Sequence, residues 1–234
     1  METAMEKWFR RLAEAPGIEY KPDPAIDRLQ LPGHDAVPKI NRYEFDGRRH
    51  ESLSWPTEGG STGTSPAQAW KTQPRKDETE AQITLRQLQE ALELPGTLSN
   101  YHFAIQGCHD ALRRLASAEP WVLEEVERLC WLDIRLIRQY PKTITLEPIT
   151  TAHEELAKVA AERRGERKFF SVSAFYQLIS MYEREGYLRE ALEVAKIGRV
   201  FEQCPGKVEE IQDRINRVEA ETIPHENALR GTVL

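Results

Sequence analysis

Four polar residues recur at the spacing of a single helix face, and their side chains are well suited to binding a charged group. His102, Gln106, His109 and Arg113 follow the order i, i+4, i+7, i+11, which places them along one side of an α-helix. Two imidazoles and a guanidinium could together bind a carboxylate or a phosphate. The alternative is an ordinary polar face, because the exposed side of a surface helix carries such residues by default.

His109 is followed directly by Asp110, and this pair allows a second interpretation. The dipeptide resembles the motif of HD-type phosphohydrolases, all-helical enzymes in which separated His and Asp residues hold metal ions that activate water. Consecutive helix residues point about 100° apart, so a second helix would have to complete the site, with Asp133 as the remote ligand. The surrounding "GCHDALRR" lacks the apolar residues and the Gly-Lys that usually flank the dipeptide. A metal-dependent phosphohydrolase using His109 and Asp110 is therefore the alternative function.

The helix that carries both motifs belongs to a series that starts near Thr79. From there on, apolar residues recur at helical spacing and proline lies mainly at the joints. The pattern predicts a short helix around 83–92 that ends at "LPG", a helix capped by Ser99, a helix over about 119–140, a polar helix over 152–164 and a terminal helix over 207–220. An extended connector is expected after Pro141. The protein is therefore predicted to be mainly α.

The stretch 173–205, "SAFYQLISMYEREGYLREALEVAKIGRVFEQCP", predicts a helical hairpin. Its first helix has a stripe of large side chains, its second has a stripe of small ones, and a glycine separates the two. In chain order the members are Phe175, Leu178, Ile179 and Tyr182, then Gly186, then Ala191, Ala195 and Gly198. Small residues let the partner helix approach closely and accommodate the large side chains. The outer apolar side of the second helix then needs a further helix as a neighbour.

This hairpin resembles the tetratricopeptide repeat over about one repeat length. The matching positions are Phe175, Leu178, Tyr182, Gly186, Leu188 and Ala191, with Ala195 and Gly198 at the later small sites. The closing proline comes slightly late, at Pro205. About three units are normally needed for stability, so the resemblance implies an irregular helical-repeat array in which other helices replace the missing repeats. The function that it implies is a non-catalytic interaction module, an adaptor or regulator that binds a protein or peptide.

The same resemblance implies a binding face on the first helix of the hairpin. The side opposite Phe175 carries Tyr176, Ser180, Glu183 and Arg184, which are groups able to bind a peptide. The alternative is again a solvated helix face.

A third class of function, a purely structural subunit of a larger assembly, would require a constitutive oligomer and a buried polar face on the Ser99 helix.

The composition of the chain limits the chemical class of its partner and the cellular compartment in which it works. The net charge of −6 and the lack of a Lys/Arg block argue against a nucleic-acid surface. The three cysteines lie far apart and show neither the pairing of a zinc site nor that of a disulfide scaffold, which favours a cytoplasmic setting. A chain of 234 residues can bury a core without a metal, so no cofactor is expected. No apolar run is long enough for a membrane span.

Proline divides the chain into unlike halves, since eight of the 14 prolines precede residue 75. Residues 1–55 are predicted to contain a short helix, loops and a hairpin in which Asp46-Gly47 forms the turn. Residues 56–78, rich in Gly, Ser, Thr and Pro, are predicted to be a flexible linker or loop. A tetratricopeptide-like helical domain is expected over 79–221, followed by a flexible tail over 222–234.

Overall fold

The computed structural model describes residues 11–27, 39–45, 47–56, 62–63, 74–94, 96–146 and 168–230. Its secondary structure is mainly helical, as the sequence predicts. The chain divides into two units, residues 1–167 and residues 168–234. This division falls inside the region 79–221, which the sequence predicts to be one helical domain.

The N-terminal unit contains a small antiparallel sheet. Its strands, in spatial order, are β1 (Lys39–Phe45), β2 (Arg48–Pro56) and β3 (Thr62–Gly63). β3 and Pro56, the last residue of β2, lie within the predicted linker 56–78, so that segment contributes three residues to the sheet. Residues 57–61 and 64–73 lie outside the described part of the chain.

The turn between β1 and β2 has two residues, because Phe45 pairs with Arg48. Gly47 has φ +67°, a left-handed conformation that costs glycine little and other residues more. Two-residue turns of hairpins favour such conformations because their twist matches that of the strands. The predicted hairpin is therefore present, although Asp46 itself is outside the described residues.

Threonine caps begin the first two long helices. At the start of α1 (Glu80–Glu93), the side chain of Thr79 accepts a hydrogen bond from the Gln82 N–H, and the Gln82 side chain accepts one from the Thr79 N–H. At the start of α2 (Leu98–Leu115), the Thr97 side chain accepts from the Asn100 N–H at 3.2 Å.

The prediction that Ser99 caps α2 is therefore wrong by two residues. The backbone leaves the extended conformation after Thr97, so Thr97 takes the capping position and Ser99 lies in the first turn. There the Ser99 hydroxyl donates a hydrogen bond to the carbonyl of Thr143 at 3.1 Å.

The central helix of the N-terminal unit is α2, which packs against both α1 and α3 (Val122–Gln139). The Tyr101 hydroxyl, fully buried in this core, donates a hydrogen bond to the carbonyl of Leu94. Fully or nearly fully buried apolar residues of the three helices include Leu88, Leu92, Ile105, Leu112, Val126, Leu129, Ile134, Leu136 and Ile137. Each such side chain contributes about 1.5–3 kcal/mol when it leaves water.

The segment 11–27 precedes the sheet and lies against the helices. It contains a 3-10 turn at Leu12–Glu14, and Leu12, Ala15 and Ile18 are buried. The Tyr140 hydroxyl donates to the carbonyl of Pro16 at 2.8 Å and so connects this segment to the end of α3. The rest of the predicted opening helix, residues 2–10, lies outside the described residues.

The connector after α3 differs from its predicted extended form. Pro141–Thr143 forms a 3-10 turn, since Pro141 is compatible with the first turn of a helix and the Ile144 N–H bonds to its carbonyl. Ile144 is fully buried. The predicted polar helix over 152–164 lies outside the described residues.

The C-terminal unit consists of α4 (Ser173–Glu185), α5 (Leu188–Val200) and α6 (Lys207–Arg230). Gly186 ends α4 with φ +83°, which confirms the predicted glycine break. The middle helix, α5, packs against both α4 and α6.

The last helix is longer than its apolar pattern predicts. α6 continues to Arg230, ten residues beyond the predicted end, so the tail predicted for 222–234 is helical as far as Arg230. Apolar residues at helical spacing mark only the part of a helix that packs against a neighbour. The last buried residue of the apolar pattern in α6 is Ile215. Residues 231–234 lie outside the described residues.

Candidate functional sites

The α4–α5 interface is built from large side chains on small ones, as predicted. Phe175 and Leu178 of α4 are completely buried, and so are Ala191 and Ala195 of α5. A Cβ atom at Gly198 would lie 3.1 Å from a ring carbon of Phe175, so only glycine fits without moving the ring. This packing fixes which side of α4 faces away from the core.

The opposite side of α4 carries the predicted peptide-binding residues. Tyr176 is 45% exposed, and Ser180 and Arg184 are also exposed. The Tyr176 hydroxyl accepts a hydrogen bond from the Cys204 N–H at 3.2 Å, which holds the ring in place. The Arg184 Nε–H donates to the Ser180 carbonyl at 3.3 Å. We call Tyr176, Ser180 and Arg184 the α4 outer face.

Glu183, the fourth predicted residue, has a different environment. Its carboxylate lies 3.4 Å from the Lys207 ammonium and 3.7 Å from the Arg214 guanidinium, both on α6. Its side chain is only 16% exposed. Glu183 therefore connects α4 to α6 and is less available to a partner than the α4 outer face.

The predicted polar stripe on α2 is not a solvent-facing stripe. His102 and His109 are completely buried, whereas Gln106 and Arg113 are half-buried. Phe103, an aromatic residue next to His102, is 43% exposed instead. Both histidines are buried because a carboxylate on α3 reaches them.

That carboxylate belongs to Asp133, which is also completely buried. Its Oδ1 lies 2.6 Å from Nδ1 of His102, and its Oδ2 lies 4.0 Å from Nε2 of His109. The His102 imidazole and the Asp133 carboxyl group therefore share one hydrogen bond. Nδ1 of His109 lies 3.3 Å from Oδ1 of the half-buried Asp110. We call His102, His109 and Asp133 the buried charge cluster.

The cluster favours a positively charged His109. Burial opposes the charge, but the interactions of the imidazole with Asp110, Asp133 and Cys130 outweigh it and raise the pKa of His109 from 6.5 to about 11. Burial also raises the pKa of the Cys130 thiol, so this sulfur is a poor nucleophile. A buried imidazolium beside a buried carboxylate links α2 to α3 electrostatically.

The geometry of the cluster gives little support to metal-dependent chemistry. Asp133, the residue predicted as the remote ligand, does lie near His109, as that hypothesis requires. Yet His102, His109 and Asp133 have no solvent-exposed surface through which a phosphate ester could approach. Across the described ranges, no group of three or more His, Cys, Asp or Glu residues is arranged to hold a metal ion.

A cleft in the N-terminal unit was not predicted from the sequence. It has a volume of about 850 Å³ and lies between residues 18–23, α1 and α3. Leu85, Leu88 and Leu92 line one wall. The sequence signal was present but ambiguous, because a leucine stripe at helical spacing is the pattern of an ordinary core face.

No protein-family model, curated protein or solved structure matches this chain. Among the helices that the structure describes, none combines the length and the hydrophobicity needed to cross a membrane.

Proposed function

We propose that this protein is a non-catalytic interaction module, an adaptor or regulator that binds a protein or peptide partner through the tetratricopeptide-like hairpin α4–α5. The observation that carries the proposal is the division of α4 into two faces. Phe175 and Leu178 are buried against α5, whereas the α4 outer face is exposed. A helix that has already buried its apolar side keeps its other side available for a partner.

The side chains of the α4 outer face suit peptide recognition. Tyr176 offers a large ring whose position is held by the Cys204 N–H, so little conformational entropy is lost when a partner packs on it. Arg184 supplies several donors in a planar group that can bind carboxylates or backbone carbonyls. Tyrosine and arginine are also the residue types that often dominate binding energy in protein interfaces.

We place this module in the cytoplasm, with a protein or peptide as its partner and neither a nucleic acid nor a membrane. The three cysteines are free and buried, which fits a reducing compartment. The net charge of −6 would repel phosphate backbones at long range.

Affinity capture with the full-length chain tests the proposal. Tyr176→Ala and Arg184→Glu alter the α4 outer face, whereas Tyr187→Ala and Arg189→Glu make the same changes at exposed positions at the start of α5. A partner recovered by the unmodified protein should bind at least about tenfold more weakly to each of the first two variants, the loss typical of an interface hot spot.

The two control variants should retain that partner, and thermal melting should confirm that all four variants are folded. Recovery of the same partners by all four variants would place the binding surface elsewhere. Loss of the partner in all four would indicate a general effect of surface charge or folding.

A further inference from the structure

The outer edge of β1 is open within the described part of the chain. β1 pairs with β2 on one side, and no described strand pairs with its other side. The second edge of the sheet, on β2, is different, because β3 pairs there with Trp55 and Pro56. An edge strand presents a row of backbone N–H and C=O groups with which another strand can pair.

Alternate residues of β1 direct their backbone groups to this outer edge. A two-residue hairpin turn closes on a pair that exchanges both backbone hydrogen bonds, here Phe45 and Arg48, and such pairs alternate with non-bonded ones along an antiparallel ladder. Tyr43 therefore bonds to β2 as Phe45 does, whereas the N–H and C=O of Arg42 and Glu44 point outwards. β1 contains no proline, which would remove a donor from the edge.

The two outward-pointing residues carry opposite charges, and both are exposed. Arg42 and Glu44 are two positions apart in a strand, so their side chains lie on the same face of the sheet. A two-fold axis at Tyr43, which lies between them, would place Arg42 opposite Glu44 of a second copy and Glu44 opposite Arg42 of that copy. Opposite charges at facing positions stabilise an antiparallel strand pair.

Other antiparallel registers of two β1 strands lack this match. An axis at Arg42 or at Glu44 would place like charges opposite each other, which destabilises the pair. An axis at Asn41 would place Glu44 opposite Pro38, which has no N–H to donate. An axis between two residues would place outward-pointing backbone groups opposite inward-pointing ones, so no ladder of hydrogen bonds could form.

The charges of β2 extend the match across the sheet. In the hairpin, Glu51 lies opposite Arg42 and Arg49 lies opposite Glu44. One row across the four strands would therefore contain Glu51 and Arg42 of one copy, followed by Glu44 and Arg49 of the other, and the sign of the charge would alternate at every step. The second row is identical by symmetry.

We infer that two copies of this chain associate through their β1 strands, antiparallel and centred on Tyr43, to form one continuous sheet. Because the same edge is used on both copies, the contact closes on itself and stops at a dimer. The sheet belongs to the N-terminal unit and the α4 outer face to the C-terminal unit, so the inference goes beyond the proposed function and does not depend on it.

Sedimentation equilibrium of the full-length protein tests the inference. The unmodified chain should change from monomer to dimer as its concentration rises, without forming larger species. Arg42→Glu and Glu44→Arg each place like charges opposite each other at both symmetric positions. Each variant alone should therefore have a dimer dissociation constant at least about tenfold higher than that of the unmodified chain.

A mixture of the two variants separates a lost charge match from a damaged fold. In a mixed dimer, one chain has two acidic residues at positions 42 and 44 and the other has two basic ones, so opposite charges face each other at both positions again. An equimolar mixture should form a heterodimer with a dissociation constant within about threefold of that of the unmodified dimer. Variants that had lost their fold would not recover on mixing.

Lys142→Glu and Glu124→Arg are matched controls, because they make the same charge changes at exposed positions of the same unit outside the sheet. Both should dimerise like the unmodified chain. The inference is overturned if the unmodified chain stays monomeric up to about 1 mM, which would leave the edge to a strand of another protein. It is equally overturned if Arg42→Glu and Glu44→Arg dimerise like the controls, or if their mixture stays as monomeric as each variant alone.

Discussion

The α2–α3 pair of the N-terminal unit and the α4–α5 pair of the C-terminal unit share one plan and differ in what holds them together. Both are two helices joined by a short connection, with 18 residues in each helix of the first pair and 13 in each helix of the second. The first pair encloses the buried charge cluster among its apolar residues. The second buries a large ring against a glycine.

The two interfaces therefore respond to opposite kinds of change. A buried charge needs its partner, because an unpaired ion in a medium of low dielectric constant is unfavourable by several kcal/mol. A large-on-small apolar contact needs its shape, because protein interiors are packed closely enough for one added methyl group to matter. Substitutions that remove charge should destabilise the α2–α3 pair, and substitutions that add volume should destabilise the α4–α5 pair.

The largest effect is expected from Asp133→Ala. Removing the carboxylate leaves the buried His102 and His109 without their shared partner, and breaking a buried ionic contact in this way costs about 3–5 kcal/mol. Denaturant unfolding should report this loss, and hydrogen exchange should assign it to α2 and α3.

Glu124→Ala is the matched control, since Glu124 is exposed on the same helix as Asp133. It should change the free energy of unfolding by less than about 0.5 kcal/mol. A loss below about 1 kcal/mol for Asp133→Ala would mean that the cluster is not an important electrostatic link between α2 and α3.

The pH dependence of stability should distinguish the two helical pairs. The pKa of His109 is raised from 6.5 when unfolded to about 11 when folded, so its contribution is complete below pH 6.5 and is lost as the pH rises towards 11. From pH 6.5 to 8.5 the N-terminal unit should lose at most about 3 kcal/mol, since one bound proton is worth about 1.4 kcal/mol per pH unit.

Hydrogen exchange measured from pH 6.5 to 8.5 distinguishes the pH dependence of one unit from that of the other. Protection in α2 and α3 should fall with pH after correction for the intrinsic exchange rate, and His109→Gln should remove most of that slope. Among the residues of α4 and α5, whose side chains are all described, there is no histidine, so their protection should change little. Equal slopes in both units would contradict the assignment to His109.

An intermediate effect is expected from Gly198→Val. The added carbons would meet the Phe175 ring, which already lies 3.1 Å from the position of a Cβ atom, and overpacking of this kind costs about 1–3 kcal/mol. Gly107→Val provides the control in α2, because no atom lies within 4 Å of a Cβ built there. If the two variants unfold at the same denaturant concentration, close packing at Gly198 does not limit the stability of the C-terminal unit.

The smallest effect is expected from Gly186→Ala. A Cβ atom at Gly186 has open space, but the residue has φ +83°, which costs an L-amino acid about 1 kcal/mol. Gly186→Asn should lose less, because asparagine tolerates this conformation better than alanine does. Thermal melting of both variants measures the difference, and an identical loss would indicate that backbone strain is not the cause.

The sequence was a good guide to the C-terminal pair and a poor one to the N-terminal pair. The stripe that includes Phe175 and Leu178 has one straightforward interpretation, because large apolar residues at helical spacing are buried unless something prevents it. His102 and His109 have two interpretations. Polar residues at helical spacing usually lie on the solvent-exposed face of a helix, so the pattern alone assigns both histidines to solvent. The cleft shows the same ambiguity, since Leu85 and Leu88 have the same pattern whether they face a neighbouring helix or an open space.

The amino-acid sequence by itself determined the mainly helical character, the glycine break at Gly186, the turn that includes Gly47 and the inner face of α4. These features depend on residues within about one helical turn of each other, so a local pattern is enough. Tertiary structure alone decided that two polar residues of α2 are buried. The partner of His102 is 31 residues away, and only the packing of α3 against α2 brings its carboxylate close enough to compensate the lost hydration.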